Sequence, residues 1–140
     1  MRKVNFNGTQ INESVTISEI VGVEVEDVRN LILAYDENGA VIPAADGTAI
    51  PVGVTLIEAG YNDITGAEAG KVKIGDAVDI QIKDMTYILA GEDIAKGTEI
   101  TAKDGKAAEG VSGNYIIGIA LDSANKDEYV RVQIAKYQKN

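Results

Sequence analysis

Apolar residues recur at every second position through much of this chain. "VTISEIVGVEVEDV" alternates from Val15 to Val28. "VDIQI" (Val78 to Ile82) and "VRVQI" (Val130 to Ile134) place Val or Ile at every second site, with Asp, Gln or Arg between. A strand turns successive side chains to opposite faces, so this period is that of a strand with one face buried and one wet. The β-branched residues at the apolar sites favour the same backbone. Turn dipeptides punctuate at short intervals: Asn7-Gly8, Asn38-Gly39, Asp46-Gly47, Asp104-Gly105 and Gly113-Asn114. Many short strands joined by such turns predict an all-β sandwich or small barrel with little helix. Short helical turns are compatible only with "SGNY" and "ITGAEAG".

The chain also echoes itself. "AYDENGAVIPA" leads to "IPVGVTLIEA" and then "VDIQI"; "AKDGKAAEG" leads to "YIIGIALDSA" and then "VRVQI". In this alignment Gly53 matches Gly118, Leu56 matches Leu121 and Ala59 matches Ala124. The connection before the closing strand is long in the first copy (58–77) and short in the second (122–129). Two such units can cover each other's apolar faces, packing into a closed barrel. A glycine inside a strand costs backbone entropy and packing, so Gly53 and Gly118 imply a close approach or a bend at matched places.

Composition removes whole classes of chemistry. The 140 residues include no Cys, His or Trp. Disulfides, thiolate metal sites and imidazole bases are therefore excluded, and with them Ser-His-Asp, Cys-His and zinc-hydrolase mechanisms. A pair of carboxylates remains chemically possible, but six Tyr and one Phe offer little with which to line a substrate cleft. The net charge of −9 argues against nucleic acid as a partner. The charge is uneven: residues 1–70 hold three basic and eleven acidic residues, and 71–140 hold ten and eleven. The acidic half is either a solvated face or a surface that meets a basic partner. "MRKVNFNGTQ" has a basic start without an apolar run behind it, so no secretory signal and no membrane span is expected.

"LAGEDIAKGTEI" (Leu89 to Ile100) invites three readings. A phosphate loop would need Lys after its second Gly; here Lys96 precedes Gly97, and Glu92 and Asp93 would repel a phosphate. A biotinyl- or lipoyl-type carrier would present a lysine at a hairpin tip, and Lys106 after Asp104-Gly105 is the candidate. A corner of the fold would need only Leu89 and Ile94 inside, Gly91 and Gly97 at the bends, and the charged residues in water.

The succession "GVTLIEA", "GDAVDIQI", "AGEDIAKGTEITAKDGKAAEG" and "IIGIALDSANKDEYVRVQI" resembles the capsid decoration (cement) proteins of tailed bacteriophages over about two thirds of the chain. In that family a Gly-apolar-Ala-Leu strand, a small-residue loop and a closing alternating strand follow one another, and a turn of the Leu89–Gly97 kind precedes an Asp-Gly hairpin. The resemblance implies a non-enzymatic virion protein without cofactor. Such a protein is made in the bacterial cytoplasm and seated on the outer surface of the capsid. Its partners would be the major capsid protein and copies of itself, as a trimer. A carrier or small binding module is the alternative. The family motifs are scaffold: Gly53, Gly91, Gly97, Gly105 and Gly118 read as structural turn or close-approach glycines. The expected organisation is an N-terminal arm or edge strand over 1–14 and one β-barrel-like domain over 15–140. Arg2, Lys3 and Phe6 are the candidate capsid-binding residues: the only basic pair in the acidic half and the only Phe. A simple edge-paired first strand explains the same segment.

Overall fold

The computed structural model describes residues 15–61 and 68–140. Ten strands appear and no helix occurs among the described residues: β1 (Thr16–Ile20), β2 (Ile32–Tyr35), β3 (Val41–Pro43), β4 (Pro51–Thr55), β5 (Ala77–Gln81), β6 (Met85–Leu89), β7 (Glu99–Lys103), β8 (Lys106–Glu109), β9 (Tyr115–Ala120) and β10 (Tyr129–Gln138). They form two five-stranded antiparallel sheets, ordered β1-β5-β4-β2-β3 and β6-β10-β9-β7-β8, packed as a sandwich. Residues 112–114 lie in a turn and connection before β9 rather than in a helix; "ITGAEAG" lies partly outside the described residues, and 68–70 form a turn.

Adding five to each strand number converts one sheet order into the other. The correspondence extends to single hydrogen bonds. Leu33 stands opposite Gly53 and Ile100 opposite Gly118. Gly22 N–H donates to the Val41 carbonyl at 2.9 Å, and Gly91 N–H to the Ala107 carbonyl at 2.8 Å. Val25 and Val72 form the same isolated antiparallel bridge as Ile94 and Ala124. Lys73 N–H reaches the Asp76 carboxylate at 2.8 Å, and Asn125 N–H reaches that of Glu128 at 2.7 Å. The echo in the sequence is thus a duplicated supersecondary unit. Ala59 and Ala124, matched by sequence, are not structural equivalents: Ala124 corresponds to Val72. From Leu56 to Asp79 is 23 positions and from Leu121 to Arg131 is 10, so the first unit carries 13 additional residues in this connection.

Each unit has its own core. Leu33, Val41, Val52, Val72, Val78 and Ile80 pack together in the first; their counterparts Ile100, Ala107, Ile117, Ala124, Val130 and Val132 pack in the second. Ile32, Ala34, Ala44 and Val54 leave the first core and join the second. The first unit is therefore apolar on both sides where its neighbour covers it, and β4 is buried at all five positions. A strand covered on both faces loses the alternation expected of a half-wet one. β5 and β6 keep it.

The closed-barrel packing expected from the repeat is not what forms. Each sheet curls until its two edges approach, but they meet only at one parallel bridge, Val21 to Val41 in the first unit and Ala90 to Ala107 in the second. In the first unit a longer ladder is barred because β3 ends at Pro43, which has no N–H, and because β1 ends before Gly22. The alternating run from Val15 to Val28 accordingly yields a strand only over Thr16–Ile20.

Candidate functional surface

Leu89–Ile100 is a corner. Ile94 is buried, and its backbone exchanges hydrogen bonds with Ala124 at 2.8 and 2.9 Å. A Cβ on Gly91 would stand 3.0 Å from the Lys106 Cβ, and Gly97 holds φ +88°, a region that disfavours other residues. Asp93 accepts the Lys126 N–H at 2.9 Å. This carboxylate holds a neighbouring backbone segment, and no anion cradle is formed. Ile20-Val21-Gly22 is the same corner in the first unit. A Cβ on Gly22 would stand 2.9 Å from the Ala40 Cβ. The shared spacing Gly-x-acid-apolar, Gly22 to Val25 and Gly91 to Ile94, is the sequence signal that extends the repeat this far upstream.

The carrier reading needs a free hairpin tip, and the Asp104-Gly105 tip is not free. Both residues take positive φ, 52° and 80°, which suits a two-residue hairpin turn. The turn is docked on the first unit: Asp104 and Gly105 N–H groups donate to the Ala45 and Ala44 carbonyls at 2.9 and 2.8 Å, and the Gly105 carbonyl accepts the Ile32 N–H at 2.7 Å. Lys106 lies beside this docked turn, its ammonium 4.0 Å from an Asp127 carboxylate oxygen.

The open surface with apolar character lies at the mouth of the first unit. A groove of about 580 Å³ is lined by Ile17, Tyr35, Ile50, Val52, Ile82 and Lys136, among others. Lys136 crosses it and donates to the Val52 carbonyl at 2.8 Å. A second recess of about 320 Å³ continues past Ile50 to Tyr115 and Tyr137. Ile50 stands between the two, 65 % exposed. Tyr35 hydrogen-bonds to Glu19 at the rim, and this bond to a carboxylate raises the phenol above its ordinary range. Asp27 is held below its ordinary value by its paired hydrogen bonds from Arg29, at 2.8 Å each.

The expected capsid contacts Arg2, Lys3 and Phe6 lie outside the described residues, as does the whole 1–14 segment. That segment leads directly into β1, whose Ile17 lines the groove. The stem of the 58–77 connection is tied by Tyr61 N–H to the Lys71 carbonyl (2.9 Å) and Gly70 N–H to the Tyr61 carbonyl (2.8 Å), with Tyr61 largely exposed. Among the described residues no cluster of three acidic side chains converges as a metal site would require, and no helix is long and apolar enough to cross a membrane. Asn30 was not legible as special in the sequence. It holds φ 56°, is buried, and donates its amide to the Tyr87 carbonyl of the second unit at 2.9 Å.

No protein-family model matches the chain and no curated protein matches it. Among solved structures it is similar to a crystal structure of the N base of the head fiber gp8.5 of bacteriophage phi29, with 22 % identity and a TM-score of 0.60. The match covers 89 % of this chain and 98 % of that one. At this identity the likeness establishes a shared fold.

Proposed function

We propose that this chain is a non-enzymatic structural protein of a phage head, seated on the outer surface of the virion. The observation that carries the reading is the fold match to a head-fiber base, which spans nearly all of both chains. The order of sequence elements resembling phage cement proteins points to the same particle by a separate route.

In this reading the protein binds the major capsid protein and bridges adjacent subunits, so that expansion of the head has to break added contacts. A homotrimer fits such a site, because several weak contacts held together bind far more tightly than one. Residues 1–14, with Arg2, Lys3 and Phe6, contribute to holding the head. The acidic first unit keeps a densely covered particle soluble.

The experiment is co-sedimentation with undecorated heads of the phage that encodes the chain, comparing the full chain with one lacking residues 1–10. Thermal unfolding of each free protein is the control. The full chain is expected to sediment with expanded heads and the shortened chain to do so more weakly, with unfolding unchanged. Failure of the full chain to bind would reject the reading. Equal binding by both would move the contact to the body, with Tyr61 to Gly70 the next segment to vary. An added biotinyl or lipoyl mass on Lys106 in the intact protein would favour the carrier instead.

A further inference from the structure

An asparagine side chain can be attacked by the backbone nitrogen of the residue that follows it. The reaction is fastest where that residue is glycine, because no Cβ hinders the approach. Asn30, Asn38, Asn114 and Asn125 are the internal asparagines among the described residues. At three of them the attacking nitrogen is occupied. Leu31 N–H donates to the Thr55 hydroxyl at 2.9 Å, Tyr115 N–H to the Gly47 carbonyl at 2.8 Å, and Lys126 N–H to an Asp93 carboxylate oxygen at 2.9 Å. Two of their side chains are held as well. The Asn30 amide donates to the Tyr87 carbonyl at 2.9 Å, while its backbone carbonyl accepts the Leu89 N–H at 3.0 Å and so closes the β6 edge. The Asn114 side-chain oxygen accepts the Val111 N–H at 2.9 Å.

Asn38 differs on each count. It is exposed, and among the described residues its side chain meets no hydrogen-bond partner. Gly39 follows it, with φ +80° and open space where a Cβ would stand. Gly39 N–H donates to the Asp36 carbonyl at 3.2 Å, a longer bond than the 2.8 Å from Asp36 N–H to the Ala40 carbonyl that closes the same turn. The Asp-Gly pairs are better protected. The Asp46 carboxylate accepts the Thr48 N–H and hydroxyl, and Gly105 N–H donates to the Ala44 carbonyl at 2.8 Å.

We propose that Asn38 is a self-modifying site, at which the β2–β3 turn converts with age to aspartate and isoaspartate. Gly39 N gives up its proton to solvent and bonds to the Asn38 Cγ; the Cγ–Nδ2 bond breaks and ammonia leaves. Water then opens the five-membered ring. Cleavage at Cγ gives aspartate, and cleavage at the main-chain carbonyl gives isoaspartate, with the chain now running through the side chain. One water replaces one ammonia, no electrons are transferred, and the turn gains a negative charge.

The turn is placed so that this change reaches the core. One Asp36 carboxylate oxygen accepts the Asn38 and Ala40 N–H groups at 2.8 and 3.0 Å. The other occupies the space that a side chain on Gly22 would need. Gly22 N–H in turn donates to the Val41 carbonyl at 2.9 Å, beside the Val21–Val41 bridge where the first sheet's edges meet. Isoaspartate lengthens the main chain by one carbon within this turn, which shifts Asp36 and Ala40 and loosens the bridge. The chemistry is independent of what the chain binds.

The test ages the full chain in mildly alkaline buffer and follows intact mass, a peptide map and labelling by isoaspartyl methyltransferase. Conversion is expected at Asn38, about tenfold or more faster than at Asn30, Asn114 or Asn125. Asn7-Gly8, outside the described residues, is mapped separately. Asn38→Gln would have to close a larger and slower ring, so it should lose conversion at this position with an unaltered unfolding midpoint. The Gly22 amide of the aged protein should exchange its hydrogen about tenfold faster than before ageing, and that of aged Asn38→Gln should not. Freshly prepared Asn38→Asp carries the new charge on a normal backbone and should keep the unaged Gly22 rate. No conversion at Asn38, or equal conversion at the three other described asparagines, overturns the proposal. An unchanged Gly22 rate after conversion, or an Asn38→Asp protein that exchanges as fast as the aged one, overturns the link from the lengthened turn to the bridge.

Discussion

Gly53 and Gly118 hold the same place in the two units: a Cβ on the first would stand 2.2 Å from the Gln81 carbonyl oxygen, and on the second 2.1 Å from that of Gln133. The next neighbours match as well, with the Ile80 and Val132 side chains each at 2.7 Å. In both cases a central strand lies against its neighbour's backbone, where no side chain fits.

Gly53→Ala and Gly118→Ala should therefore each destabilise the fold by about 3 kcal/mol or more, since the obstacle is backbone and cannot rotate away. Gly97→Ala should cost less, about 1–2 kcal/mol, because only its positive φ is strained and open space surrounds it. Denaturant unfolding of the three variants checks the order. Equal costs would mean that the neighbouring strands shift to admit the added methyl, and that close contact does not fix Gly53 and Gly118.

Much of this was readable in the sequence, for a physical reason. Val78, Ile80, Val130 and Val132 alternate with polar residues because their strands have one dry face, and that period survives translation into structure. Gly53 and Gly118 stood out because glycine is unfavourable in a strand without cause. Three features were not readable. The burial of Pro51–Thr55 on both sides depends on the neighbouring unit. The absence of barrel closure depends on how far a curled sheet can pair before Pro43. The role of Asn30 depends on a contact 57 positions away, and no local pattern marks it.

Truncation of the matched core residues separates their faces. Ile80→Ala and Val132→Ala should each cost roughly 2–4 kcal/mol, as both side chains are fully buried. Gln133, exposed, should tolerate Ala. Gln81 should not tolerate it equally, because its amide donates to the Lys83 and Met85 carbonyls at 2.8 and 2.7 Å and holds the turn between the units. Its loss should cost about 1 kcal/mol. Equal tolerance at both glutamines would show that this turn stands without its side-chain bond.

Asn30 offers a test of how the two units are joined. Asn30→Gly keeps the positive φ and the carbonyl but removes the amide bond to Tyr87, so a loss of about 1 kcal/mol is expected. Asn30→Leu adds backbone strain and should lose more, about 2–3 kcal/mol. Both variants should also expose part of the β6 edge and increase self-association, measured by sedimentation at rising concentration. Unchanged association would mean that the Asn30 carbonyl alone closes the edge.

The pH dependence of stability should contain a contribution from one exposed cluster. Tyr137 O–H donates to a Glu99 carboxylate oxygen at 2.5 Å, and the Lys139 ammonium meets the other at 2.9 Å. Burial, then the bond to Glu99, pushes the Tyr137 phenol up to about 12. The hydrogen bond from Tyr137, then that from Lys139, lowers Glu99. An unfolded phenol titrates near about 10 and an unfolded glutamate near about 4.3. The raised phenol therefore contributes stability that is complete below about pH 10 and is lost as pH rises through about 12. The depressed carboxylate contributes stability that is complete above its unfolded value and is lost as pH falls through its folded one. Between these limits the cluster should leave stability flat. Tyr137→Phe should remove the alkaline loss and let Glu99 return toward its ordinary value, weakening the acid limb as well. Denaturant unfolding from pH 3 to 12, beside a phenol absorbance titration, reads both effects. An alkaline limb of equal size in Tyr137→Phe would assign that loss to other groups and leave the Tyr137–Glu99 bond without thermodynamic weight.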